Sequence, residues 1–178
     1  MDDTRSSDAL TPQPIFLVGF MGSGKTSVGR ILAKELGRRF IDLDEMISRK
    51  AGAPVREIFS THGEPAFRQL EREAIQSLSE LDNTIVALGG GAYVSQENRD
   101  IIRSIGPTVW IDCPLDVCLS RIPADGSRPM LGDRAAMETL MAARCADYTL
   151  AEVRIAAQDL DPHSIVRRII RSLVELKD

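Results

Sequence analysis

The sequence predicts an α/β fold, a three-layer α/β/α sandwich built on a parallel sheet. Three observations predict it. Short apolar runs rich in Val, Ile and Leu alternate with longer segments of helical period. The connections between successive runs are long enough for the crossovers that parallel pairing needs. The first run, Ile15-Phe16-Leu17-Val18, leads directly into Gly19-Phe20-Met21-Gly22-Ser23-Gly24-Lys25-Thr26. That stretch fits the phosphate-cradling spacing G-x-x-x-x-G-K-[ST], a motif that requires a strand before it and a helix after it.

The helix after the loop carries Val28, Ile31, Leu32 and Leu36 on one face and stops at Gly37. Residues 40–44, Phe40-Ile41-Asp42-Leu43-Asp44, read as a strand ending in two carboxylates. Strand alternation places both acids on one face, at the carboxyl end where open α/β sheets bind ligands. Residues 45–51 are helical, and Gly52 with Pro54 breaks that helix. Val55, Ile58 and Phe59 form a short amphipathic turn that ends at His62-Gly63. A long helix is expected over 64–81, with Phe67, Leu70, Ala74, Leu78 and Leu81 as its buried stripe.

Residues 84–88 are a buried strand that runs into Gly89-Gly90-Gly91. Three glycines directly after a strand imply close approach of backbone to a ligand or to another segment. Ser95 caps a helix bearing Ile101 and Ile102. Gly106-Pro107 breaks it, and residues 108–111 form the next strand. Pro114 suits the first turn of a helix that buries Val117, Cys118 and Ile122. Residues 123–133 read as a loop and 134–148 as a helix. Residues 153–157 form a last strand. Asp161-Pro162 opens a final helix with Ile165, Ile169, Leu173 and Leu176 on its core face.

The 178 residues suit one domain, expected over 14–178, with 1–13 as a disordered lead-in. A formal net charge of −4 and 43% hydrophobic residues are ordinary for a soluble protein and point to neither nucleic acid nor membrane. Arg167, Arg168 and Arg171 read as a solvated helix face. Cys113, Cys118 and Cys145 are odd in number and form no C-x-x-C pair, which fits small buried side chains in a reduced, cytoplasmic protein. No apolar segment spans a bilayer, and the polar start has no secretory signal core.

Beyond these readings, the chain resembles the shikimate kinases over nearly its whole length from Ile15. The resemblance rests on the glycine loop with Lys25 and Thr26, on Phe40-Ile41-Asp42-Leu43-Asp44 and on Phe67-Arg68-Gln69-Leu70-Glu71. It extends to Ala87-Leu88-Gly89-Gly90-Gly91-Ala92, to Arg128-Pro129-Met130-Leu131, and to Arg144 shortly before Tyr148. It implies a P-loop NTPase fold of the nucleoside monophosphate kinase-like kind, with five parallel strands in the order 2-3-1-4-5 and a lid at about 123–133. It also implies transfer of the ATP γ-phosphoryl group to the 3-hydroxyl of shikimate, within the route to chorismate and the aromatic amino acids.

The implied roles match the chemistry of each residue. Gly22, Ser23, Gly24, Lys25, Thr26 and Ser27 would hold ATP, with Arg121 beside the adenine and phosphates. Thr26 would ligate Mg²⁺ directly and Asp42 through water. Lys25, Asp44 and Arg128 would act in catalysis, Arg128 from the lid. Asp44, Gly89, Gly90, Gly91, Arg68 and Arg144 would hold shikimate, the two arginines at its carboxylate. Two small molecules, shikimate and ATP, would be the partners of a monomer. The chain departs from the family in an acidic stretch before the last helix, Gln158-Asp159-Leu160-Asp161-Pro162, and in Thr149 after the tyrosine. A related small-metabolite kinase, such as a gluconate kinase, would share the glycine loop without F-R-x-x-E and the triple glycine. The N-K-x-D motif of a guanine-nucleotide switch is absent from the sequence.

Overall fold

A computed structural model describes residues 10–122 and 133–176. At its centre is β1 (Ile15–Val18), whose four residues are all buried, as expected of a parallel strand covered on both faces. It pairs with β3 (Thr84–Ala87) on one side and β4 (Thr108–Asp112) on the other. Outside these lie β2 (Arg39–Asp42) and β5 (Val153–Ala156). The five strands are parallel and run in the order β2-β3-β1-β4-β5, as expected. The ends of β1, β2 and β3 therefore lie side by side, and the glycine loop, the acidic pair and the triple glycine emerge at one edge.

Helix α1 (Lys25–Glu35) packs on α7 (Pro162–Glu175) and lies against β2 and β3. It crosses the sheet closely because Gly29 has no side chain, and a Cβ there would lie 2.4 Å from Phe40 Cε2. Helix α3 (Val55–Ser77) packs with α2 (Leu43–Ala51) and α4 (Gln96–Ile105). The short α5 (Leu115–Ser120) and α6 (Arg134–Tyr148) flank the segment 123–132. The lid expected at about 123–133, Arg128 included, lies outside the described residues apart from Asp133, which caps α6 by accepting from Ala136 N at 3.0 Å.

Three expectations are corrected. The strand expected over 40–44 ends at Asp42, and Asp44 lies in the first turn of α2. Asp42 is the N-cap, with Oδ1 accepting from Asp44 N at 3.1 Å and Glu45 N at 3.4 Å. Capping by aspartate outweighs two more residues of strand. The turn at 55–62 and the helix expected over 64–81 are joined as α3, with a kink at Gly63 (φ 79, ψ 172). Pro65 follows the kink, where its missing N–H leaves little unsatisfied. The helix ends at Ser77 and gives way to a 3₁₀ turn over Leu78–Glu80. Leu176 is 51% exposed because α7 ends one residue before it, and Val166 is buried on that helix instead. Cys113 and Cys118 are buried, Cys145 is half-buried, and all three are free thiols.

Candidate active site

A cleft of about 1450 Å³ opens at the edge where β1, β2 and β3 end. Gly22, Gly24, Lys25, Thr26 and Ser27 line one part of it, and Asp42, Asp44, Arg68, Gly89, Gly90, Gly91, Arg121 and Arg144 also face it.

The glycine loop is shaped by conformation and by space. Gly22 and Gly24 have φ of 75 and 96, in the left-handed region where a side chain is strained. At Gly22 a Cβ would also lie 2.3 Å from the carbonyl oxygen of Cys118. Gly24 is the N-cap of α1 and supplies no side chain to the first turn. The N–H groups of that turn are thus left to the cleft, where an anion can accept from them. Lys25 Nζ folds back along the loop and donates to Gly19 O at 2.8 Å and Phe20 O at 2.9 Å. Ser23 differs from its neighbours in the loop. It is fully buried, does not line the cleft, and its Oγ has no hydrogen-bond partner among the described residues. Any contact it makes with a nucleotide comes from its backbone.

Thr26 Oγ1 donates to Asp42 Oδ2 at 2.9 Å, linking the first turn of α1 to the end of β2. Two hard oxygen donors side by side, next to the phosphate loop, suit Mg²⁺, which keeps most of its waters and takes few protein ligands. The capping bonds to Asp42 Oδ1 hold that carboxylate in place and leave Oδ2 toward the threonine.

The triple glycine makes room for three charged side chains in turn. A Cβ on Gly89 would lie 2.7 Å from Asp44 Oδ1, one on Gly90 3.0 Å from Arg144 Nη1, and one on Gly91 2.9 Å from Arg68 Nη2. These side chains come from α2, α6 and α3, so the turn is where three helices bring their charges together. Arg68 is held by two carboxylates. Its Nε and Nη2 donate to Glu64 Oε1 at 3.2 and 3.0 Å, and its Nη1 donates to Glu71 Oε2 at 3.0 Å. Each terminal nitrogen keeps one N–H outside these bonds, which is the end-on fork that binds a carboxylate. Arg144 stands over the Phe20 ring, 5.8 Å from its centroid. Phe59 and Phe67, with ring centroids 4.5 Å apart, add apolar wall.

Two residues acquire roles that their sequence positions did not signal. The Glu71 side chain is 2% exposed, and burial raises its carboxyl above the ordinary range while Arg68 pulls it back. Tyr148 is buried, and burial raises its phenol while the Arg144 cation pulls it back. Its hydroxyl donates to Gly90 O and ties α6 to the glycine turn. Glu71 was legible only as the last residue of F-R-x-x-E, and Tyr148 only as a landmark after Arg144. Arg121 follows α5 and lines the cleft, with Nη1 3.9 Å from Cys113 Sγ and close to Gly24. Burial, with Cys113 beside it, pushes the Cys118 thiol up to about 12, so it stays neutral under the loop.

A family model described as shikimate kinase matches residues 21–174. A shikimate kinase of Geobacter sulfurreducens is 42% identical over 158 residues, covering 87% of each chain. One from Microcystis aeruginosa is 38% identical over 177 residues, covering 97% of this chain and 93% of its own. Among solved structures, a shikimate kinase from Acinetobacter baumannii in complex with shikimate superposes with a TM-score of 0.87 at 33% identity, covering 97% of this chain and 98% of that one. With the family model spanning most of the chain and the relatives this similar, the chain belongs to the shikimate kinase family.

Proposed function

We propose that this protein transfers the γ-phosphoryl group of ATP to the 3-hydroxyl of shikimate, giving 3-phosphoshikimate and ADP. The observation that carries the reading is the fit of Gly89, Gly90 and Gly91 to Asp44, Arg144 and Arg68 in the same cleft as Lys25. One anionic carboxylate acceptor, one set of hydroxyls and one triphosphate are the ligands that two arginines, an aspartate and a phosphate loop would serve. Placed in metabolism, the reaction is a step toward chorismate and the aromatic amino acids.

Phosphoryl transfer asks mainly for positioning and charge neutralisation. The first turn of α1 and the loop N–H groups hold the phosphates, and Lys25 moves from its loop carbonyls to the β- and γ-phosphate oxygens. Thr26 and, through water, Asp42 would hold Mg²⁺, which would supply positive charge against the phosphates. Arg68 and Arg144 fix the direction of the acid, and Asp44 accepts from the hydroxyl that attacks. Arg128 closes over the phosphates from the lid and, with Lys25, stabilises the charge that develops on the transferred group. Closure of the lid at about 123–133 excludes water and suppresses ATP hydrolysis.

The same reading takes residues 14–178 as one domain, acting as a monomer in the cytoplasm. No helix among the described residues is long and apolar enough to cross a membrane. Turnover with ATP and Mg²⁺ against shikimate, gluconate and nucleoside monophosphates tests the function. Phosphorylation of shikimate alone supports it. Preference for gluconate would transfer the assignment to a gluconate kinase.

A further inference from the structure

The glycine turn is held from behind by residues that never reach the cleft. Arg99, in the first half of α4, is 13% exposed at its side chain, and Asp147, in the last turn of α6, is 24% exposed. A single nitrogen of Arg99, Nη1, donates to Tyr93 O at 2.8 Å, Val94 O at 2.6 Å and Asp147 Oδ1 at 2.8 Å. Neither Arg99 nor Asp147 lines the cleft. One turn of helix before Asp147 is Arg144, and next to it is Tyr148, whose hydroxyl donates to Gly90 O.

The turn itself is short and continuous with these contacts. Ala92 N donates to Gly89 O at 3.0 Å, and Val94 N donates to Gly91 O at 3.2 Å. Asn98, one residue before Arg99, donates from Nδ2 to Ala92 O at 3.0 Å. The carbonyls of residues 92, 93 and 94 are therefore all engaged by α4, and α4 is joined through Arg99 to α6.

We infer that Arg99 and Asp147 are positioning residues for substrate binding, a clamp that sets the distance between the glycine turn and the helix carrying Arg144. The inference rests on the proposed function. The clamp acts on both sides of the acid site at once. It holds the turn through two carbonyls and holds α6 through a partly buried ion pair. Removing either partner leaves the other charge poorly solvated and lets turn and helix separate. Separation moves Gly90 away from Arg144, and the acid subsite feels it most, because the phosphate loop is joined to β1 and α1 and meets the glycine turn only where Gly90 approaches Met21 N.

The experiment measures shikimate kinetics, the Kd for ADP, thermal midpoints and amide hydrogen exchange over residues 89–94 for the wild type, Arg99→Ala, Arg99→Lys and Asp147→Asn. For Arg99→Ala the expected result is a rise in KM for shikimate of about tenfold, the scale of one lost bond to a charged group, with the Kd for ADP unchanged. Exchange over 89–94 should accelerate, and Arg99→Lys should recover part of both effects. Should Arg99→Ala fail to fold, Asp147→Asn, which keeps an acceptor of the same shape, serves in its place with a smaller rise in KM. An unchanged KM with a lower thermal midpoint would make the pair a stabilising contact only and overturn the inference. If the wild type does not act on shikimate, the proposed function falls, and the exchange measurement alone then decides whether the clamp orders the turn.

Discussion

Gly91 and Arg68 stand so close that a Cβ on the glycine would lie 2.9 Å from Nη2 and 3.0 Å from Nη1 of the guanidinium. The φ of Gly91 is not in the left-handed region, so glycine is present for space and not for backbone freedom. Gly89 and Gly90 share this property, with Asp44 and Arg144 as the neighbours that need the room. A glycine loop shaped by φ and one shaped by neighbours behave differently under substitution.

Gly91→Ala should therefore fold, because the alanine can adopt the backbone and the clashing atoms are the ends of a flexible side chain. Its stability should stay within about 1 kcal/mol of the parent. Arg68 must shift, so KM for shikimate should rise about tenfold, as for a displaced charged hydrogen bond. Steady-state kinetics with a thermal melt check both parts, and an unchanged KM would separate Arg68 from substrate binding. Gly22→Ala is the contrast. Its strained φ and the Cys118 carbonyl 2.3 Å from the new Cβ would make that variant unstable.

Lys25 interacts with two carbonyls of its own loop before any phosphate arrives. Lys25→Met keeps the length and removes the charge. Turnover should fall by at least about a hundredfold, as for loss of other groups that stabilise transition-state charge. The thermal midpoint should move little. Near-normal kcat in this variant would end the phosphate role of the loop lysine.

Glu71 gives the fold a pH dependence of defined sign. Burial raises its carboxyl, with Arg68 opposing, so the folded state holds the proton more tightly than the unfolded chain. Below the ordinary carboxyl value of about 4.5 both states are protonated and the group has no differential effect. As pH rises above it, the unfolded chain ionises first, and stability is lost until the folded carboxyl ionises as well. The wild type should therefore lose stability relative to Glu71→Gln as pH rises from 4.5. Urea melts of both proteins across that range measure it, and a difference that does not change with pH would refute the linkage.

The fold was legible because local signals agreed with one another. Four consecutive buried residues in β1, the glycine loop after it and Pro162 at the start of α7 each indicate the same architecture. The lining of the cleft was legible where a residue type has few other uses, as with Lys25, Thr26 and the triple glycine. It was less legible where two local rules compete. Asp42 and Asp44 fit strand alternation equally well as a helix cap, and the cap prevailed. Ser23 sits in the loop motif, yet its side chain points into the protein. Arg99 and Asp147 carry no motif because their function is the distance between two backbones, and that exists only after the chain has folded.

Arg68 and Arg144 come from α3 and α6 and meet across the glycine turn. Two fixed cations orient a small acid and so present one hydroxyl to the γ-phosphate. Arg68 already holds Glu64 and Glu71, whereas Arg144 rests over Phe20. Part of the charge on Arg68 is thus neutralised before substrate arrives, and Arg144 should carry the larger share of binding. Bonds to charged groups contribute about 1.5–3 kcal/mol each. Either Arg→Ala change should lower kcat/KM for shikimate by roughly tenfold to a few hundredfold, with Arg144→Ala the more severe. Arg→Lys should restore only part of the loss, because a point charge lacks the planar fork. The Kd for ADP should stay near that of the parent, since neither arginine belongs to the phosphate loop. Measuring kcat/KM and ADP binding on both variants decides it. A collapse of ADP binding with intact shikimate kinetics would move both arginines to the nucleotide side of the cleft.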